Sequence, residues 1–219
     1  MAARVVGLLL AAGRGRRFAR ASAARHLAAP PRTGTAPDKL LCPIGGIALA
    51  RRSCEALTAG CEAVFAVLRP DAPAALAETL HAAGARLIVA DRAWLGMGHS
   101  LAAGAQAIID AGGTPSVLVL PADMPWVRPD TVGRVAAALR APAATPADSV
   151  EGRIVVPRLP DGRSGHPVGF GPGHLAALSR LEGDRGARAL RDGVTPTFVE
   201  VDDAGILRDV DLPSDLPPS

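Results

Sequence analysis

The chain has 219 residues, 48% of them apolar and 21% charged, which suits one domain, or one domain with a small appendage, around a substantial core. Its net charge is only +3, and apart from Arg14, Arg16, Arg17 and Arg20 its arginines are dispersed. With four Phe, two Trp and no Tyr it lacks the rings of a base-stacking surface, so nucleic acid is excluded as a partner and a small anionic ligand fits the arginine cluster better.

In chain order, short apolar runs alternate with helical stretches. Val5 to Leu10 reads as a buried strand that runs into a glycine loop. Helices are expected over Ile47–Ala59, Ala72–Ala83, Ser100–Ala111 and Pro129–Arg140, the first three ending at glycine and the last opening on proline. Strands are expected at Ala63–Leu68, Arg86–Ala90 and Val117–Leu120 between them. These strands are continuously apolar, which requires helices on both faces: an α/β, doubly wound, mostly parallel twisted sheet. After a Pro/Ala-rich linker at 141–149 the rhythm loosens. Ile154–Val156, Pro167–Phe170 and Thr197–Val201 read as shorter strands of the same domain, with an antiparallel edge strand allowed. The whole of 1–219 is expected to be a single domain, with a flexible low-complexity insertion at 19–37.

Cys42, Cys54 and Cys61 are odd in number and lack CxxC spacing, which argues against a disulfide framework or a zinc site and for a reducing cytosol. Cys54 and Cys61 read as core residues. The apolar run Val5 to Ala12 is followed, not preceded, by its positive charge, the reverse of a signal peptide. No stretch is long enough to span a membrane, so a cytoplasmic protein is expected.

Of the 24 basic residues only one is lysine, Lys39, in Asp38-Lys39-Leu40-Leu41. An ammonium kept among so many guanidiniums marks a place where the two are not interchangeable, such as a phosphate site; a strong arginine bias also leaves a stray lysine by chance. Composition alone leaves these two readings level.

In open α/β sheets ligands bind beyond the carboxyl ends of the strands, and three polar constellations fall there. Ala11-Ala12-Gly13-Arg14-Gly15-Arg16-Arg17 follows the first strand. Small residues let backbone amides approach a phosphate, although any turn between strand and helix can need glycine. Asp123, in Leu120-Pro-Ala-Asp-Met-Pro125, suits a divalent cation or merely orders a turn. Asp209-Val210-Asp211-Leu212-Pro213-Ser214-Asp215 offers a second metal ligand or a solvated tail, with Asp215 or Ser214 as a helix N-cap. His81, His174 and His26 read as exposed and structural or neutral, and Trp94 and Trp126 as loop anchors on the core. His99, beside the Gly-Met loop, reads equally as a ligand contact or a surface histidine. Arg185 and Arg188 read as solvated charge, the alternative being a phosphate of a second substrate.

Taken in order, these segments resemble a known family. Leu10-Ala-Ala-Gly-Arg-Gly-Arg-Arg-Phe18 with Asp38-Lys39-Leu40-Leu41 resembles the LAAGxGxR signature of the nucleotidyltransferase superfamily and its downstream lysine. Asp91-Arg-Ala-Trp-Leu-Gly-Met-Gly-His-Ser-Leu101 resembles the GMxxSL segment of molybdenum cofactor cytidylyltransferases. Gly165-His-Pro-Val-Gly-Phe170 is similar to that branch's GHPVxF loop, and Asp209 to Leu216 to its ending. The resemblance implies a Rossmann-like, three-layer nucleotidyltransferase fold. It further implies transfer of CMP from CTP to Mo-molybdopterin with Mg²⁺, and a client molybdenum enzyme as a possible partner.

By the same resemblance, Leu10, Ala11, Ala12, Gly13 and Gly15 would hold the nucleotide. Arg17 and Lys39 would bind the triphosphate, and Asp123 and Asp211 the metal. Gly96, Met97 and Ser100 would select the base, and His166 and Pro167 would face the second substrate. Ala12, and Gly-Met in place of Gly-Pro-Leu, favour CTP over GTP. The chain departs from the pattern in its long 19–37 insertion, in Asp91 where asparagine is usual, and in Leu212 where threonine is usual. The rival readings are a related nucleotidyltransferase using GTP or another NTP with a different phosphorylated acceptor, and a non-catalytic cofactor carrier.

Overall fold

The computed structural model describes residues 4–25, 38–142, 149–184, 186–192 and 194–217. In chain order the elements are β1 (Val5–Leu10), α1 (Arg16–Arg25), a 3₁₀ turn at Lys39–Leu41, β2 (Pro43–Ile44), β3 (Ile47–Ala48) and α2 (Leu49–Thr58). Next come β4 (Val64–Leu68), α3 (Ala74–Ala82), β5 (Ala85–Val89), α4 (Met97–Asp110), β6 (Ser116–Pro121) and α5 (Pro129–Arg140). The remainder comprises β7 (Ile154–Arg158), β8 (Val168–Phe170), α6 (Leu175–Leu178), α7 (Arg188–Arg191) and β9 (Thr197–Glu200).

One seven-stranded sheet runs β5-β4-β1-β6-β8-β7-β9. All pairings are parallel except those of β8, which lies antiparallel to β6 and β7. The antiparallel strand is therefore interior, not at the edge. Its residues Val168, Gly169 and Phe170 are buried on both faces, so they carry no alternation that would mark an edge.

Two apolar layers sandwich the sheet. Val5 and Leu9 of β1 face a core with Leu49 and Leu57 of α2, Leu76 and Leu80 of α3, and Val132, Val135 and Leu139 of α5. Val6 and Leu8 face the opposite core, with Leu101, Ala105 and Ile108 of α4 and Leu175 and Leu178 of α6. Each fully buried leucine contributes about 1.5–3 kcal/mol by leaving water. This two-sided burial is why the strands are continuously apolar, and it confirms the expected α/β three-layer architecture.

Boundaries agree closely for β1 and α5, and differ elsewhere for local reasons. Ile47 and Ala48 form β3 of a hairpin, since the Gly45-Gly46 turn folds them back on Pro43 and Ile44 before α2 begins. The helix expected from Ser100 begins at Met97. Part of the expected flexible insertion, up to Arg25, is helical in α1, and residues 26–37 lie outside the described residues, as do His26 and Arg185. Among the described residues no helix is long and apolar enough to cross a membrane.

The C-terminal segment is fastened to the start of α5 by Asp203, which is buried. Its carboxylate accepts from the Arg128 amide at 2.9 Å, the Thr131 hydroxyl at 2.7 Å and the Gly205 amide at 3.0 Å. A carboxylate satisfied three times pins the strap that carries Asp209 and Asp211 to the mouth of the sheet.

Candidate active site

The site lies beyond the carboxyl ends of β1 and β6, which pair from Val5↔Ser116 to Leu10↔Pro121 and so end level with each other. The chain leaves β1 through Ala11 and Ala12, whose side chains are buried, and turns at Gly13 to Gly15 into α1. Among the described residues, the amides of Gly13, Arg14 and Gly15 donate to no backbone carbonyl, which leaves them for an anion at the start of a ten-residue helix. Gly15 has φ +54°, and a Cβ there would crowd Lys39 Cγ and Cδ at 3.3 and 3.4 Å. Glycine is thus required twice over, for the left-handed turn and for the lysine stem that passes beneath it.

Lys39 is 7% exposed. Its Nζ donates to Asp123 Oδ2 at 2.7 Å and to the Val210 carbonyl at 2.8 Å, and lies 3.9 Å from Asp211 Oδ1. The first two use two of its three N–H groups, and 3.9 Å is too long for a hydrogen bond, so one donor is left for a ligand. Arg17 reaches the same cluster, its Nη1 donating to Asp211 Oδ2 at 2.8 Å. Gly15, Arg16, Arg17, Phe18, Lys39 and Asp211 line a cavity of about 240 Å³.

Asp123, Asp209 and Asp211 bring carboxylate oxygens within 4.8 Å of one another. The Val210 amide donates to the Asp123 carbonyl at 2.9 Å, which docks the strap onto the turn after β6. Burial raises the Asp209 carboxyl above its ordinary value, and Asp123 and Asp211 add to this while Lys39 opposes it. Three acids against two cations leave the cluster short of positive charge. Hard oxygen donors at this spacing suit a small divalent cation, so the residues fit Mg²⁺ or Mn²⁺. Asp215 does not cap a following helix as expected. It accepts from the Asp211 and Leu212 amides at 2.9 and 2.6 Å and so shapes the turn that presents Asp211.

Leu10, Ala11, Ala12, Gly13, Gly15, Arg17, Lys39, Asp123 and Asp211 are thus brought together. His166 is joined to them through β8. The β6–β8 register pairs Val119 with Val168, so by extension His166 sits level with Pro121. Its Nδ1 is buried without a hydrogen-bond partner. Burial depresses the imidazole below its ordinary value, partly offset by the Val119 carbonyl and Asp123, while Arg188 and Arg191 depress it further. Pro167, which follows it, is buried. Gly96, Met97 and Ser100 lie at the start of α4: Ser100 is buried, Met97 is half exposed, and Gly96 packs against Gly183 and Asp184.

Of the remaining candidates, Trp126 packs on the core with Arg208 over its ring at 3.7 Å, whereas Trp94 is 70% exposed. His174 is half-buried, and its ring bonds the Gly152 carbonyl at 2.9 Å, a structural role. His99 lines a second cavity, of about 420 Å³, with Asp91 and Arg180.

Two residues escaped the sequence reading. Arg69, 12% exposed, donates to Asp38 Oδ2 at 2.7 Å and to the Gly13 carbonyl at 3.2 Å, and so ties the glycine turn to the lysine turn. No local signal marks it. Asp209 was visible only as the first acid of the Asp-Val-Asp alternation.

A parallel sheet that gathers free amides, a buried ammonium and clustered carboxylates at one edge has the parts for handling a nucleoside triphosphate, and the enzyme is a nucleotidyltransferase. Residues 7–197 match the model of the MobA-like NTP transferase domain, and the chain belongs to that family. Solved structures agree. A nucleotidyl transferase from Methanothermobacter thermautotroptrophicus is 25% identical, with a TM-score of 0.73, over 97% of this chain and 94% of its own. Rv0371c from Mycobacterium tuberculosis, in complex with manganese, shares the fold at 22% identity and TM-score 0.66 (97% and 95% covered). A 4-diphosphocytidyl-2C-methyl-D-erythritol synthase shares it at 16% identity and TM-score 0.64 (98% and 95% covered). No protein of curated function matches the sequence.

Proposed function

We propose that this enzyme transfers CMP from CTP to Mo-molybdopterin, releasing pyrophosphate, and that the full chain 1–219 is one catalytic unit serving a client molybdenum enzyme. The observation that carries a transfer reaction is the buried Lys39 ammonium held between Asp123 and the Val210 carbonyl beneath the glycine turn. A carrier has no use for so costly a buried charge beside an acidic cluster. The choice of CTP and of a pterin acceptor is supported by the Gly96-Met97-Gly98-His99-Ser100 and Gly165-His166-Pro167-Val168 segments.

In this reading the glycine-turn amides, Arg17 and the spare donor of Lys39 hold the triphosphate. An anionic phosphate oxygen of the acceptor attacks the α-phosphorus; a P–O bond forms as the bond to the bridging oxygen breaks, and pyrophosphate leaves with the electron pair. No general base is needed, because the nucleophile is already an anion. Asp123, Asp209 and Asp211 would hold the Mg²⁺, which supplies neutralisation of the phosphate charge. Gly96, Met97 and Ser100 shape the base pocket, and His166 and Pro167 border the acceptor.

Each NTP in turn, with molybdopterin or a panel of sugar and polyol phosphates, is assayed for pyrophosphate release. CTP with molybdopterin is expected to be the productive pair, and Lys39→Ala and Asp123→Ala to lose activity while keeping their circular dichroism. Activity with GTP and a sugar phosphate alone would overturn the substrate assignment. Cofactor delivery unimpaired in both variants would replace transfer by carriage.

A further inference from the structure

We infer that Arg69 is a positioning residue for the transfer reaction. It locks the plane of the Gly13–Arg14 peptide, and so the aim of an amide left for the triphosphate, against the turn that carries Lys39. The role rests on the nucleotidyl-transfer reading above and adds a residue from a third loop to the phosphate site.

The two halves of that site are far apart along the chain. Segment 19–37 separates the glycine turn from Asp38 and Lys39, so no short covalent link sets their spacing. Gly13 offers no packing of its own, and even an added Cβ would meet no atom within 4 Å. Glycine adopts either sign of φ readily, so the peptide that follows it is free to flip unless its carbonyl is held.

Arg69 supplies that hold. It follows β4, whose five residues are all buried. The Ala11 amide donates to the Val67 carbonyl at 2.9 Å, which carries the β1–β4 pairing one residue beyond β1. Arg69 and Gly13 therefore leave neighbouring strands side by side. Arg69 Nη1 donates to the Gly13 carbonyl at 3.2 Å and Nη2 to Asp38 Oδ2 at 2.7 Å, while Nε lies 3.3 Å from Asp71 Oδ1. All three nitrogens of the planar fork face protein acceptors, an arrangement that a single ammonium does not reproduce. The Arg69 and Asp38 side chains are 12% and 6% exposed, so water is a poor substitute for the bond between them. Through Oδ1, Asp38 accepts from the Leu40 amide at 3.0 Å and caps the turn that carries Lys39. Asp71 reaches back through Oδ2 to Arg14 Nη2 at 3.0 Å, which closes the ring of contacts on the glycine turn.

A peptide group is planar, and in the trans form its C=O and N–H point opposite ways. With the Gly13 carbonyl held on Arg69, the Arg14 N–H points away from Arg69 and stays there. The same guanidinium fixes Asp38, the residue before Lys39. One planar group thus sets the amide direction and the lysine turn together. A triphosphate that spans the two meets donors already in place, and less of its binding energy goes into ordering them. Arg69 acts through Gly13 and Asp38 rather than on the phosphates.

The test titrates inorganic pyrophosphate, and separately CTP, each with Mg²⁺, into the full chain by calorimetry. In Arg69→Gln both Kd values are expected to rise about tenfold or more, while Mn²⁺ alone binds the acidic cluster within about twofold of the parent. Arg69→Lys is expected to stay near the glutamine variant, because one ammonium does not hold the Gly13 carbonyl and Asp38 as a fork does. Asp38→Asn decides the sign. If Arg69 acts through its partners, loosening it raises both Kd values, and Asp38→Asn/Arg69→Gln loses little more than the worse single variant. If Arg69 is itself a phosphate ligand, freeing it leaves the Kd values unchanged or lower, which overturns the inference. A folded Arg69→Gln with Kd values within about twofold of the parent overturns it too, since a merely structural arginine lowers Tm and leaves binding intact. Full recovery in Arg69→Lys has the same effect. If Arg69→Gln does not fold, Asp38→Asn, nearly identical in shape to the parent residue, carries the decision. Binding of pyrophosphate without CTP overturns the nucleotide assignment alone, and the pyrophosphate series still decides. If the parent binds neither, the transfer reading falls, and the ¹⁵N order parameter of the Arg14 amide in the ligand-free chain decides the hold. A value of about 0.85 in the parent and below about 0.6 in Arg69→Gln is expected, and equal values overturn the inference.

Discussion

Lys39→Met separates the charge of this residue from its packing, since methionine fills much of the same stem beneath Gly15. The side chains of Lys39 and Asp123 are 8% and 24% exposed, and they meet at 2.7 Å. Removing one partner of a buried pair costs about 3–5 kcal/mol; the quarter exposure of Asp123 lets water screen the orphaned carboxylate, which brings the expected cost to about 3 kcal/mol. For a chain of this length that is a fall in Tm of about 6–12 °C. The three carboxylates then lack their ammonium, so Mn²⁺ is expected to bind the nucleotide-free variant more tightly than the parent. At about 100 times its Kd the metal restores about 2.7 kcal/mol, nearly the whole deficit. Transfer is not restored, because the donor for the triphosphate is gone; a loss of about 10²–10³ in kcat is expected. Scanning calorimetry with and without Mn²⁺, alongside pyrophosphate release, reads all three quantities. A variant that melts within about 2 °C of the parent, or that transfers normally, refutes the reasoning.

Gly165→Ala is expected to destabilise by about 3 kcal/mol or more, since its Cβ would overlap the Ile206 carbonyl oxygen, a backbone atom that cannot swing aside; urea denaturation tests this, and a loss under about 1 kcal/mol contradicts it. Because His166 is depressed below 6.5 in the folded chain, the unfolded state takes up its proton first as pH falls. Its contribution to stability is therefore complete above 6.5 and lost as pH falls through the window between 6.5 and the lower folded value; His166→Gln should flatten that part of the stability–pH curve, and an identical slope in the variant argues against a buried neutral ring. Burial raises Cys54 to about 11 and Cys61 to about 12, and also raises Cys42, so a thiol reagent at pH 8 should label the native protein slowly and all three cysteines after denaturation; rapid native labelling of Cys54 would show the core to be open.

Much of the architecture was legible because it depends on local pattern. A six-residue apolar run bounded by glycine reads as a buried strand, and β1 spans the expected Val5–Leu10. Proline at the first turn and Asp130 behind it mark the start of α5, which spans the expected Pro129–Arg140. The residues of the candidate site were legible for a different reason: Lys39 is the one lysine among 24 basic residues, and Gly13, Gly15, Asp123 and Asp211 fall beyond strand ends, in segments that taken in order resemble a family pattern.

Strand order and long-range pairing were not legible in the same way. Nothing in Val168–Phe170 distinguishes an interior antiparallel strand from an edge strand, since its neighbours are set by where β6 and β7 lie. Arg69 looks like any other arginine until Asp38 and Gly13 are brought to it. By itself the sequence determined which residues must leave water, and hence a sheet covered on both faces, together with which side chains could carry phosphate and metal chemistry. Only the tertiary structure decided that Lys39 meets Asp123 across 84 residues and the Val210 carbonyl across 171. The physical reason is range. Burial is dictated residue by residue, whereas the partner of a charge depends on how distant segments close over it.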